Sequence, residues 1–167
     1  MRAFTLTMLR APSLRADGDP NDADAVLRPS AGDVLVFDLD ELLAFFLVRH
    51  VVTGKFTCPY FLVGAFRDGV RRNSAFLFAS VIAIDVENGP TTQQAHAIFR
   101  RWLHVIYTTW SHRPDEHRFR IVIPLARDVD AQEYRLLWSW LAAQLGGGAD
   151  PQTKDLARAL FLPAERP

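Results

Sequence analysis

The apolar run Phe76-Leu-Phe-Ala-Ser-Val-Ile-Ala-Ile84, closed by Asp85-Val86-Glu87, constrains this chain more than any other stretch. Its β-branched and aromatic content and its length predict a buried strand over residues 76–86. In a strand, residues i and i+2 project from one face. Asp85 and Glu87 therefore share a face at the polar end of the strand, about 7 Å apart along the backbone at roughly 3.3 Å per residue. Carboxylates this close repel one another unless positive charge lies between them, and a divalent cation is the usual solution. The competing reading is two surface acids at the start of a loop made by Asn88-Gly89-Pro90.

At 167 residues the chain is long enough for one domain with a substantial core. No run of 18 apolar residues occurs, and the start lacks the apolar region and cleavage site of a signal peptide. Cys58 is the sole cysteine, so neither an internal disulfide nor a cysteine-based zinc cluster is expected, and a cytoplasmic location with no membrane contact follows as the expectation. The net charge of zero gives no global pull toward nucleic acid. Between Arg67 and Arg135, however, every basic side chain other than histidine is arginine, the residue that grips phosphate bidentately.

Around the central strand the pattern predicts further elements. Residues 1–30, with the polar segment Ala16–Asp24, read as a mobile arm, and residues 31–167 as a single domain. A short strand over 33–38 leads into a helix over 39–50, capped by Asp38 or Asp40. A strand is expected over 60–66 and a helix over 92–103. Strands over 105–109 and 119–125 make a hairpin around Ser111–His117. A helix over 130–145 stops at Gly146-Gly-Gly148, and one more helical turn is expected near 155–159. The fold class is α+β, with helices packed on a mainly antiparallel sheet.

The ordered set Arg71-Arg72, Ile84-Asp85-Val86-Glu87, Tyr107-Thr-Thr-Trp-Ser-His112, His117-Arg-Phe-Arg-Ile-Val-Ile-Pro-Leu125 and Asp150–Pro163 resembles the archaeo-eukaryotic primase superfamily. The likeness is to the small primase-polymerase domains (RepB-like) of plasmid and phage replication proteins. The resemblance implies an RNA-recognition-motif-like primase core with a further N-terminal α/β layer. It also implies a template-dependent nucleotidyltransferase that joins nucleoside triphosphates on single-stranded DNA with Mg²⁺ or Mn²⁺. By that resemblance Asp85, Glu87 and Asp150 hold the metal and are catalytic, with Asp155 as the alternative third acid. His112, Arg118, Arg120 and Arg158 are the nucleotide-binding candidates. His112 follows Ser111 directly, a departure from the family's small-x-His pattern, so Arg118 or Arg120 competes with it for the phosphate-facing place. Unwinding would fall to a helicase domain or protein.

Such chemistry is in-line attack of a hydroxyl on an α-phosphate, with two metal ions stabilising the attacking and leaving oxygens and cationic side chains neutralising the rest. Two other readings stand beside it. One is a replication-initiator domain that binds nucleic acid without catalysis. The other is a haloacid-dehalogenase-like phosphatase, suggested by Val34-Leu-Val-Phe-Asp38-Leu-Asp40, although Glu41-Leu42 follows where that family has Gly-Thr. Trp110 in the hairpin is a candidate for base stacking. His96 and His104 carry no metal-ligand spacing and read as surface or boundary residues. Lys154, near the third acid, is a further phosphate candidate.

Overall fold

A computed structural model describes residues 2–9 and 32–165. Its centre is the predicted strand, β6 (Phe76–Glu87), in which every residue from Ala79 to Ile84 is buried. A strand covered on both faces has no reason to alternate, which is why its sequence reads as a continuous apolar run. β6 lies between β5 (Gly64–Phe66) and β8 (Arg118–Val129), and β7 (Val105–Thr108) closes the sheet in the order β5-β6-β8-β7. All neighbours are antiparallel. β6 and β7 are thus parallel with β8 between them, joined through helix α2 (Thr92–Phe99) as a split β-α-β unit, followed by β8 and helix α3 (Ala131–Gln144). That is the expected α+β class, with helices packed on a mainly antiparallel sheet.

The second layer is a four-stranded antiparallel sheet in the order β2-β1-β4-β9, built from β1 (Phe4–Leu9), β2 (Asp33–Phe37), β4 (Tyr60–Leu62) and β9 (Leu160–Phe161). A small parallel pair joins β3 (His50–Val51) to β10 (Ala164–Glu165). Helix α1 (Leu39–Leu47) follows β2 and starts at a full capping box: Asp38 accepts from the Glu41 amide while Glu41 accepts from the Asp38 amide. Asp38 is thus the cap, and Asp40 lies in the first turn. The two layers meet where Phe46 of α1 stacks on Tyr107 of β7 and packs edge-on against Phe61 of β4.

Several expectations are corrected. The arm assigned to residues 1–30 begins with β1, an internal strand whose Phe4, Leu6, Thr7 and Leu9 are buried, while residues 10–31 lie outside those described. Its Phe-x-Leu spacing has the strand period, and the acidic segment downstream outweighed it in the sequence. The strand over 60–66 is two strands in different sheets, parted at Val63, whose carbonyl accepts from the amides of Ser80 and Val81. β8 runs four residues past the predicted hairpin arm. Beyond Pro124, which has no N–H to give the ladder, its register slips, so that Val81 faces Pro124 but Ala79 faces Val129. Helix α2 ends at Phe99, four residues earlier than predicted. The last helical turn lies at Pro151–Lys154 as a 3-10 turn, not at 155–159. No helix among the described residues is long and apolar enough to cross a membrane.

Candidate functional site

Antiparallel pairing aligns β6 with β8 so that Asp85 faces Arg120 and Glu87 faces Arg118, while Arg120 in turn faces Tyr107 of β7. Directly opposed residues share a face, so both acids and both arginines line one end of one face of the sheet. The Arg120 fork closes bidentately on Asp85, Nε to Oδ1 at 2.5 Å and Nη2 to Oδ2 at 2.7 Å. Its Nη1 donates to the Phe161 carbonyl and to the Tyr107 hydroxyl, which itself donates to Phe161. The Arg120 side chain is 4% exposed and that of Asp85 15%. Burial opposes the guanidinium charge, but the Asp85 carboxylate overrides it and raises the arginine pKa. Burial likewise pushes Tyr107 up to about 12. Nearer solvent, Arg118 bridges Glu87 at 3.1 Å and Glu116 at 2.6 Å.

The third acid is brought to the pair through the backbone. β5 flanks only the first part of β6, which leaves the edge beyond Ala83 needing partners. The Ala83 carbonyl accepts from the Trp138 indole, the Asp85 carbonyl from the Asp150 amide at 2.8 Å, and the Glu87 amide donates to Gly148 at 2.7 Å. Val86 pairs with Ala149 in an antiparallel bridge, which sets Asp150 opposite Asp85. Gly148 makes this approach feasible: its φ is +77°, and a Cβ there would lie 2.4 Å from Gly89 Cα. Buried Thr153 then anchors the following turn, donating to the Asp150 carbonyl and accepting from Trp138, while its own carbonyl accepts from Tyr134. The Asp150 carboxylate caps that turn by accepting from the Gln152 amide.

A cleft of about 50 Å³ opens beside the acids. Asp85, Glu87 and Arg120 form its floor, and Lys55, Arg158 and Trp110 are among its walls. The lining thus sets three cations, Lys55, Arg120 and Arg158, against Asp85 and Glu87, with Asp150 paired next to them. Burial lowers the Lys55 pKa, and Arg158 lowers it further.

Among the sequence candidates, Asp85, Glu87, Arg120 and Arg158 line this cleft, and Asp150 is tied to Asp85 by its main chain. Arg120 is not a free phosphate grip, because its donors are taken up by Asp85, Tyr107 and Phe161. Arg118 and His112 do not line the cleft: Arg118 is held between two glutamates, and His112 Nδ1 accepts from the Arg118 amide. Asp155 does not line the cleft and accepts from the Ala157 amide. Asp38 and Asp40, the phosphatase pair, belong to a helix start and line none of the cleft. Lys55 escaped the sequence reading, since only the pairing of β4 with β9 brings residue 55 toward Phe161 and Asp85.

A magnesium or manganese ion would meet suitable chemistry here. An ionised carboxylate has about four acceptor positions. Arg120 uses two on Asp85, Arg118 one oxygen of Glu87, and Gln152 one oxygen of Asp150. The donors thus suit a hard cation, yet the described residues include no group of three or more His, Cys, Asp or Glu side chains gathered to hold one. Arg120 and Arg118 are the positive groups that face Asp85 and Glu87.

Compared with known proteins, residues 58–166, more than half of the chain, match the VapE N-terminal domain. No curated protein and no solved structure matches.

Proposed function

This chain belongs to the VapE N-terminal domain family, found in replication-associated proteins of phages and plasmids, and from that premise we propose a primase-like nucleotidyltransferase. The observation that carries the reading is that Asp85 and Glu87 share a cleft with Lys55 and Arg158, while a backbone hydrogen bond sets Asp150, from a distant segment, opposite Asp85. In this reading Lys55 and Arg158 bind the triphosphate of the incoming nucleotide, and Trp110 at the rim offers a ring to a base. Asp85, Glu87 and Asp150 would hold Mg²⁺ or Mn²⁺, which when bound would stabilise the attacking and leaving oxygens. Arg120 fixes the orientation of the Asp85 carboxylate through its bidentate contact. The single-stranded DNA template would pass along the open side of the cleft, with unwinding left to a helicase domain or protein.

The Asp85–Arg120 lock favours one second reading, a domain that binds nucleic acid during replication and does not catalyse. Labelled-nucleotide incorporation on single-stranded DNA with Mg²⁺ or Mn²⁺ separates the two. Glu87→Gln and Asp150→Asn are suitable variants, since Gln still accepts from Arg118 and Asn still caps a turn. The first reading expects wild-type incorporation, lost by about 100-fold or more in each variant, with DNA binding kept. DNA binding without incorporation by the wild type would leave the second.

A further inference from the structure

Two histidines that the sequence sets eight residues apart meet in space. His96 lies in the last turn of α2, and His104 lies in the connection to β7. Their facing nitrogens, His96 Nδ1 and His104 Nε2, are 2.9 Å apart. The other nitrogen of His104, Nδ1, lies 2.8 Å from the Trp102 carbonyl, an oxygen that can only accept. His104 therefore carries its proton on Nδ1 and presents a bare lone pair on Nε2 toward His96. The Phe99 ring stands edge-on to His104 and limits its rotation. An imidazole whose outer N–H is committed to a backbone carbonyl is oriented as metal-ligating histidines are. Both rings line a groove of about 620 Å³ whose walls also offer oxygens from Thr92, Thr108 and Glu165.

We propose that His96 and His104 form a divalent transition-metal site, with Zn²⁺ as the ion to test, distinct from the acidic cleft. Two imidazoles on a tetrahedral ion at roughly 2.0–2.1 Å stand about 3.3 Å apart. The pair is closer than that by only a few tenths of an ångström, and exposed His96 is free to give the difference. Insertion requires His96 to move its own proton from Nδ1 to Nε2, a tautomer change that solvent mediates without net charge. No third side chain of the described His, Cys, Asp and Glu residues joins them. The remaining positions thus belong to water or to whatever enters the groove. Such a site is open, exchangeable and accessible to a ligand with its own donor. Imidazole selects zinc over magnesium and binds manganese more weakly than zinc, so Mg²⁺ at the carboxylates would not compete for it.

The test is titration of the metal-free protein with zinc chloride, read by calorimetry and by the ¹⁵N shifts of the histidine side chains. The proposal expects one ion per chain, with shifts at His96 Nδ1 and His104 Nε2. His96→Ala and His104→Ala should each weaken binding by at least about tenfold. His112→Ala and His117→Ala, which alter the other close histidine pair, should leave it unchanged. Melting curves of His96→Ala report separately on the fold, and its exposure predicts no loss. Binding that is absent, or insensitive to both His96→Ala and His104→Ala, reduces the pair to a hydrogen bond between neutral rings and overturns the proposal.

Discussion

Replacing Arg120 by methionine tests whether the Asp85–Arg120 pair is a built part of the fold. The substitution keeps most of the side-chain length and removes every donor. Asp85 is then left with a carboxylate whose two oxygens had been bonded by that fork. Breaking a buried pair by removing one partner costs about 3–5 kcal/mol. Asp85 retains 15% exposure and can hydrate, which places Arg120→Met at the lower end of that range. The reverse substitution, Asp85→Leu, strands a 4% exposed guanidinium that cannot shed its proton, and belongs at the upper end. Against a total stability of roughly 5–15 kcal/mol these are large fractions. At about 2–4 °C per kcal/mol for a chain of this size, melting falls by about 6–20 °C. The double variant should recover much of the loss, because apolar replacements of a buried pair are often neutral and Tyr107 still donates to Phe161 without Arg120. Urea denaturation of the four proteins completes the cycle. A loss below about 1 kcal/mol for Arg120→Met, or single effects that add within about 0.5 kcal/mol, would refute the argument. The cycle also bears on activity assays: Asp85→Ala, the obvious catalytic knockout, removes the partner of a buried arginine and lowers stability together with any activity.

Two further perturbations probe the same cleft from its edges. Gly148→Ala puts a Cβ 2.4 Å from Gly89 Cα at a φ of +77°; it should cost about 1–3 kcal/mol and detach the Asp150 amide from Asp85, visible as faster hydrogen exchange at residue 150. Lys55→Met should be at least as stable as the wild type at neutral pH yet bind triphosphates more weakly, measured by melting and by calorimetry. Its pH sign follows from the lowered Lys55 pKa: the folded state holds fewer protons than the unfolded one just below 10.5, so this group makes stability rise with pH there, and the variant should lose that rise.

The parts of this fold legible in the sequence are those whose pattern is set by burial within one element. β6 announced itself because both its faces are covered, and α3 because Tyr134, Trp138 and Leu141 recur at helical spacing. The helix start was legible only as Asp38 or Asp40, and the capping box with Glu41 decides for Asp38. What depends on partners distant in the chain was not readable. Arg118 and Arg120 were assigned to phosphate, whereas pairing makes them the counter-charges of Glu87 and Asp85. A signal for this did exist: acid-x-acid in one strand and Arg-x-Arg in its hairpin-linked neighbour have the same two-residue period, and one register satisfies both pairs. Nothing local marked Lys55, which reaches the acids only because β9 returns beside β4. His96 and His104 likewise gave no spacing motif, since a helix end and a turn, rather than one helix face, bring them together.

On the reading proposed above, the size and charge of the cleft set the order in which its ligands bind. About 50 Å³ accommodates a water or two, whereas a bound small molecule occupies a pocket of about 300–1,000 Å³. A nucleotide therefore enters only if a wall gives way. The floor cannot, because Asp85, Glu87 and Arg120 sit in a paired ladder. Lys55 stands on a three-residue 3-10 turn, Arg158 on the stretch between Lys154 and β9, and Trp110 in the hairpin loop, all outside the sheet. In the closed cleft Arg120 and Arg118 already face Asp85 and Glu87, so these carboxylates draw little further positive charge. A triphosphate carries more negative charge than Lys55 and Arg158 offset. Its arrival, on the reading proposed above, would engage Lys55 and Arg158 and turn the local balance negative. Only then would a divalent ion become favourable at the free oxygens of Asp85, Glu87 and Asp150. Cation affinity measured without nucleotide should accordingly be weak, and should rise when a triphosphate is present.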